Sequence, residues 1–143
     1  MRIFKQRAIY DCLLACIATA VQRDYGDIWP VDFLEAVEDA KGTYGDNVTK
    51  AFSLAGLNHN TDYWTVGVAW GWERNAALRN LLHGRRAILQ VPSLNYQGAQ
   101  HMVYWNGETL YDPSNDQVYQ RLDQCSPSYV FIFNEAKGWP APR

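Results

Sequence analysis

The chain has 143 residues, 48% hydrophobic and 14% aromatic, with 13 Lys plus Arg against 15 Asp plus Glu and a net charge of −2. That length suits one domain, which buries roughly 70% of the surface its unfolded form exposes, and scattered basic residues argue against a nucleic-acid groove. Three cysteines, an odd count without regular spacing, argue against a disulfide scaffold and fit a reducing compartment.

The first residues, Met1-Arg2-Ile3-Phe4-Lys5, lack the layout of a signal peptide. The apolar run from Cys12 to Val21 is too short to cross a membrane, which takes about twenty residues. The expectation is a cytoplasmic protein with no membrane partner. Asp11 is placed to cap a helix from Cys12 to about Arg23. Gly26 to Pro30 reads as a turn, and Pro30 suits the first turn of a helix over Val31 to Lys41, ended by Gly42. Asp46 or Asn47 caps a third helix running to Ala55, with Gly56 as its stop. Thr61 to Val68 reads as a strand, and Asn75 to His83 as a helix stopped by Gly84.

Beyond that point the pattern changes to strands: Ala87 to Val91, His101 to Trp105, Glu108 to Tyr111 and Tyr129 to Phe133. Helices first and strands later predict an α+β domain with an antiparallel sheet. Six Trp and nine Tyr suit an aromatic core and rim. Some of them, such as Trp64, Trp70 and Trp72, would alternatively line a peptide-binding surface.

Asn106-Gly107 between two β-prone runs predicts a hairpin with a two-residue type I′ turn. In that register Trp105 faces Glu108, Met102 faces Tyr111, and His101 faces Asp112. Directly opposed residues share a face with Cβ atoms roughly 5 Å apart, so the turn brings the imidazole beside the carboxylate. An Asp in that place fixes the tautomer of the ring and favours its protonated form. Pro113 follows and ends the ladder. A polar cross-strand pair without catalytic consequence is the competing interpretation.

Cys12 falls in the first turn of its helix, where free N–H groups and the macrodipole favour an anion. Thiols so placed, above all beside a protonated histidine, have pKa values of roughly 3.5 to 7.5. Gln6 lies upstream, and its amide together with the Cys12 N–H would make an oxyanion hole. Cys16 is one turn further along the same face and suits a buried apolar site. A zinc pair of Cys12 and Cys16 completed by His59, His83 or His101 has no supporting second motif. Cys125 sits in a loop before Ser126-Pro127 and carries no signal.

Gln6-x4-Asp11-Cys12-x2-Ala15-Cys16, then His101-Met102-Val103, then Asp112-Pro113, resembles the papain-like peptidases that process double-glycine leader peptides. These are the cysteine peptidase domains of bacteriocin-exporting transporters and their stand-alone relatives. The likeness runs in order from residue 6 to about 133. It implies a papain-like α+β fold, with Cys12 as nucleophile, His101 as general base and acid, Asp112 as its orienting carboxylate and Gln6 as oxyanion donor. Leu13 stands where that family has glycine, and a bulky side chain there narrows the cleft. With no transporter in the chain, the substrate need not be a leader peptide.

The expected function is therefore a cysteine peptidase or related thiol hydrolase acting on a peptide or isopeptide bond, without metal or organic cofactor. An amidase or transglutaminase-like reaction would use the same triad. The alternative is a binding or inhibitory module on a papain-like scaffold, encoded for instance by a phage or mobile element and acting on a host protein.

Overall fold

The structure is a computed structural model and describes residues 2–68 and 76–134. Five α-helices are described: α1 (Cys12–Val21), α2 (Tyr25–Ile28), α3 (Val31–Ala40), α4 (Asp46–Leu54) and α5 (Ala76–Leu82). The strands are β1 (Tyr63–Gly67), β2 (Ala87–Pro92), β3 (Gln100–Trp105), β4 (Leu110–Tyr111) and β5 (Tyr129–Phe133). They form one antiparallel sheet in the order β1-β5-β2-β3-β4. The α+β expectation holds at that level. Asn75, the start expected for the α5 helix, and Trp70 and Trp72 lie outside the described residues.

Helix α1 is apolar on every side, and nine of its ten residues are buried. A helix of that composition belongs inside, not along a surface. It lies against one face of the sheet, sharing a core with Ile88, Met102, Tyr104, Phe131 and Phe133. The alternate residues Leu89, Val91, Val103, Val130 and Ile132 point to the other face. There they form a second core with Leu82, Tyr119 and Cys125. Both faces are covered, so the central strands are apolar throughout instead of alternating. Truncating Leu14 or Ile17, both fully buried, to Ala would cost about 2–5 kcal/mol. Buried indoles are satisfied: Trp29 Nε1 donates to Ala51 O at 3.0 Å and Trp105 Nε1 to Leu82 O at 2.6 Å.

Several local expectations are corrected. The stretch expected as a turn after Tyr25 closes into the one-turn helix α2, because Asp24 accepts a hydrogen bond from Tyr25 N. Helix α1 stops at Val21, where Gln22 takes a left-handed conformation (φ 58°). Helix α4 is preceded by Gly45 at φ 56°, so neither Asp46 nor Asn47 is its cap. Asp11 does not cap α1 with its side chain.

The hairpin also differs. Trp105 pairs with Leu110 and Tyr104 with Tyr111, which makes a four-residue loop from Asn106 to Thr109. The Asn106 carbonyl oxygen accepts from Glu108 N at 2.9 Å and Thr109 N at 2.7 Å, a side-chain substitute for the tighter turn. Gly107 is drawn onto the α5–β2 turn, where its carbonyl accepts from Gly84 N at 2.9 Å. A Cβ at Gly107 would lie 3.1 Å from Gly84 C.

Candidate active site

The two-residue change in register moves Asp112 past the end of the ladder, so it does not oppose His101 directly. A shift of two keeps every side chain on its own face, whereas a shift of one would reverse it. His101 and Asp112 become diagonal neighbours, which long side chains still bridge. His101 Nε2 and Asp112 Oδ1 are 2.7 Å apart, and both residues are buried, at 8% and 5% exposure. The carboxylate is filled from its other sides: Oδ1 accepts from Ser114 N at 2.8 Å and Oδ2 from Tyr119 N at 2.7 Å. Tyr119 is itself fixed by donating its hydroxyl to Pro92 O at 2.7 Å.

Cys12 is half-buried at the start of α1 and free. It lines the same cavity as the His101 ring, near enough to favour the charged form of that ring. With Nε2 held by Asp112, Nδ1 is the ring nitrogen left for the sulfur. Burial opposes charge on His101, but the hydrogen bond the ring donates to Asp112 and the influence of the nearby Cys12 and Asp112 outweigh it and raise the pKa from 6.5 to about 9. Cys16 is fully buried one turn on, and burial pushes its thiol well up. Cys125 lies in the second core with its thiol pushed up by burial to about 12. Neither lines the cavity that Cys12 shares with His101.

The N-terminal segment ties the two halves together. Phe4 N donates to the buried Thr19 hydroxyl of α1 at 3.0 Å. Lys5 Nζ donates to Asp112 O at 2.8 Å, and Gln6 N to Pro113 O at 3.0 Å. Gln6 therefore stands beside the Asp112 loop. Its side-chain nitrogen donates to Ala8 O at 2.8 Å, and its Oε1 is buried without a partner. The structure does not bring the Gln6 amide into the lining of the cavity beside Cys12.

Asp11 takes a different part from the capping role expected of it. Its carboxylate turns back along the chain and accepts from Arg7 N at 3.0 and 3.1 Å and from Ala8 N at 3.0 Å. The loop between Gln6 and Cys12 is folded around this buried group. The first-turn N–H groups of α1 are consequently left without a side-chain cap.

A cavity of about 620 Å³ opens beside Cys12 and His101. Its lining includes the Lys41–Tyr44 segment and the approach to β3 at Gly98, Ala99 and Gln100. Leu13 reaches the lining, yet it is only 2% exposed and packs in the first core. Most of its side chain is packed in that core, and the remainder borders the cleft. Sequence reasoning missed this cavity wall, Tyr119 and the role of Asp11. Only the Asp112-Pro113-Ser114 run carried a legible signal, that of an Asp accepting from the amide two residues on.

Of the histidines weighed for zinc, His59 and His83 are apart from the site. The exposed His59 pairs with the Thr65 hydroxyl at 3.2 Å, and His83 is exposed just beyond α5. Among the described residues no group of three or more His, Cys, Asp or Glu side chains is arranged to hold a metal. No described helix is long and apolar enough to cross a membrane. In comparisons with known proteins, the chain matches no family, no curated protein and no solved structure.

Proposed function

We propose that this chain is a cysteine peptidase of papain-like architecture that hydrolyses a peptide or isopeptide bond. The observation that carries the reading is the His101 imidazole, held by Asp112 at 2.7 Å on one nitrogen and lining the same cavity as Cys12. A nucleophile, its base and an orienting carboxylate in that order are the parts of covalent acyl transfer. Placement of Cys12 on a helix and His101 on an antiparallel sheet supports the papain-like comparison. Three free thiols suit a reducing compartment such as the cytoplasm.

In the reaction His101 takes the thiol proton as the sulfur of Cys12 attacks the carbonyl carbon. The oxyanion is received by the Cys12 N–H, which no side chain caps. The His101 imidazolium then protonates the leaving amine as the C–N bond breaks, leaving a thioester. Water, deprotonated by His101, attacks the thioester, releases the acid and restores the thiol.

A second reading, a binding module on the same scaffold, draws on the Gln6 amide, which is engaged within its own loop instead of lining the cavity. One experiment separates the two. Iodoacetamide labelling at neutral pH, read by peptide mass analysis, is run beside turnover of a mixed library of quenched-fluorescent peptides. The peptidase reading expects Cys12 to react faster than Cys125 and turnover to vanish in Cys12→Ala. Equal labelling, with partner binding unchanged in Cys12→Ala and no turnover, supports the binding module instead.

A further inference from the structure

We propose that Asn95 is a positioning residue for the reaction at Cys12: its side-chain amide ties the loop between β2 and β3, which borders the cleft, to the segment that holds Asp112 against His101. The kinetic part of this proposal rests on the peptidase reading.

Asp112 heads a segment without helix or strand that runs to Gln120. Lacking a backbone ladder, such a segment keeps its place through the hydrogen bonds of individual groups. Two of its amides, Ser114 N and Tyr119 N, close on the Asp112 carboxylate at 2.8 and 2.7 Å. Gln117 lies in the stretch between them. Displacing that stretch pulls on both amides, and so on the oxygen that His101 shares with Ser114 N.

Asn95 meets Gln117 from the loop across the way. Its Oδ1 accepts from Gln117 N at 3.0 Å, and its Nδ2 donates to Gln117 O at 3.0 Å. The same Nδ2 lies 3.4 Å from the Ser114 hydroxyl, which accepts from Asp116 N at 3.2 Å. An amide paired in both directions with the main chain of one residue fixes that residue in position and in orientation, as a neighbouring strand would.

The loop that carries Asn95 is closed without this side chain. Ser93 Oγ accepts from Asn95 N at 3.2 Å and from Tyr96 N at 3.1 Å. Ser93 N donates to Ala99 O at 2.8 Å, and Ala99 N to Tyr96 O at 3.1 Å. The Asn95 amide is therefore not needed for its own turn and serves the Asp112 segment instead. Lys5 Nζ and Gln6 N hold the head of that segment at Asp112 O and Pro113 O. Asn95 supplies the anchor further along. Because Tyr96, Gly98 and Ala99 of its loop line the cavity beside Cys12, cleft and carboxylate are joined through one side chain.

The test follows the ring signals of His101 by NMR as pH is varied, with His101→Gln assigning them. Turnover of the best-cut peptide of the quenched-fluorescent library is measured beside it. In Asn95→Ala the imidazolium is held less firmly by Asp112, so its titration midpoint should fall from about 9 by about 0.5 pH or more. In the same variant kcat should fall about tenfold, with KM within about twofold of wild type. Asn95→Gln keeps the amide but misplaces it, and should lie between the two; it carries the comparison if Asn95→Ala does not fold. Gln117→Ala retains the main-chain partners and should behave as wild type. A purely structural role for Asn95 lowers the urea midpoint and leaves the His101 titration where it was. That result in a folded Asn95 variant would overturn the proposal, as would an equal change in Gln117→Ala. A lowered His101 midpoint in a protein that cuts no peptide would sustain the role of Asn95 and remove the peptidase reading. Turnover that depends on Cys12 and is unchanged in Asn95→Ala would do the reverse.

Discussion

Asp11 and Asp112 lie in two loops joined by the backbone bond from Gln6 N to Pro113 O. Both are buried to the same degree, at 5% exposure, and both carboxylates are hydrogen-bonded through each oxygen. Their partners differ. Asp112 gives one oxygen to His101 and takes two backbone amides, whereas Asp11 takes the backbone amides of Arg7 and Ala8 and lies beside the Tyr25 hydroxyl. One aspartate orients a proton-carrying ring and the other shapes the loop ahead of the thiol. Burial alone does not distinguish them; the identity of the donors does.

That contrast sets the order of expected effects. Cys12→Ala should abolish turnover by about a thousandfold or more while leaving the fold intact, measured by library cleavage and circular dichroism. Asp112→Asn replaces an acceptor by a donor against His101, Ser114 or Tyr119, and should lower kcat by about 10²- to 10⁴-fold with little change in KM. If Asp112→Asn matched wild type in kcat, the orienting role would be gone.

Asp11→Ala leaves the Arg7 and Ala8 amides without their buried acceptor and should cost about 1.5–3 kcal/mol in urea unfolding. Its activity should fall less than that of Asp112→Asn, because no proton passes through Asp11. A larger loss of kcat in Asp11→Ala than in Asp112→Asn would invert the comparison.

Next in size is the pH effect on stability. His101 has a folded-state pKa raised from 6.5 to about 9. A raised histidine binds its proton more tightly when folded, so its stabilisation is fully present below the unfolded value of 6.5 and is lost as pH rises through about 9. Urea midpoints of the wild type should fall between those limits, and His101→Gln should flatten the profile. The smallest effect belongs to Cys16→Ala, which removes a buried thiol that has no part in the site. It should destabilise by about 1 kcal/mol and leave Cys12 labelling unchanged.

The sequence by itself determined that α1 would be an apolar, interior helix, since a run without a polar face has nowhere else to go. It also determined the strands over Ala87 to Val91, His101 to Trp105 and Tyr129 to Phe133 and the presence of a hairpin at Asn106-Gly107, though the strand expected over Glu108 to Tyr111 begins only at Leu110. The pairing of His101 with Asp112 was legible, though through a turn that the chain does not adopt. It survived because strand side chains repeat every two residues, and the register moved by two.

The rest was decided only in three dimensions. The Asn106 side chain offers its own turn, and the contact of Gly107 with Gly84 selects it over the two-residue alternative. Asp11 had two local choices, the amides of its helix or those behind it, and the loop anchored by Gln6 N on Pro113 O takes the second. The insertion of β5 between β1 and β2, and the meeting of the Lys41–Tyr44 wall with Cys12, arise from contacts far apart in the chain. Local chemistry narrows such choices to a few of similar free energy. Packing between distant segments separates them, because buried donors and apolar faces must all be satisfied in one arrangement.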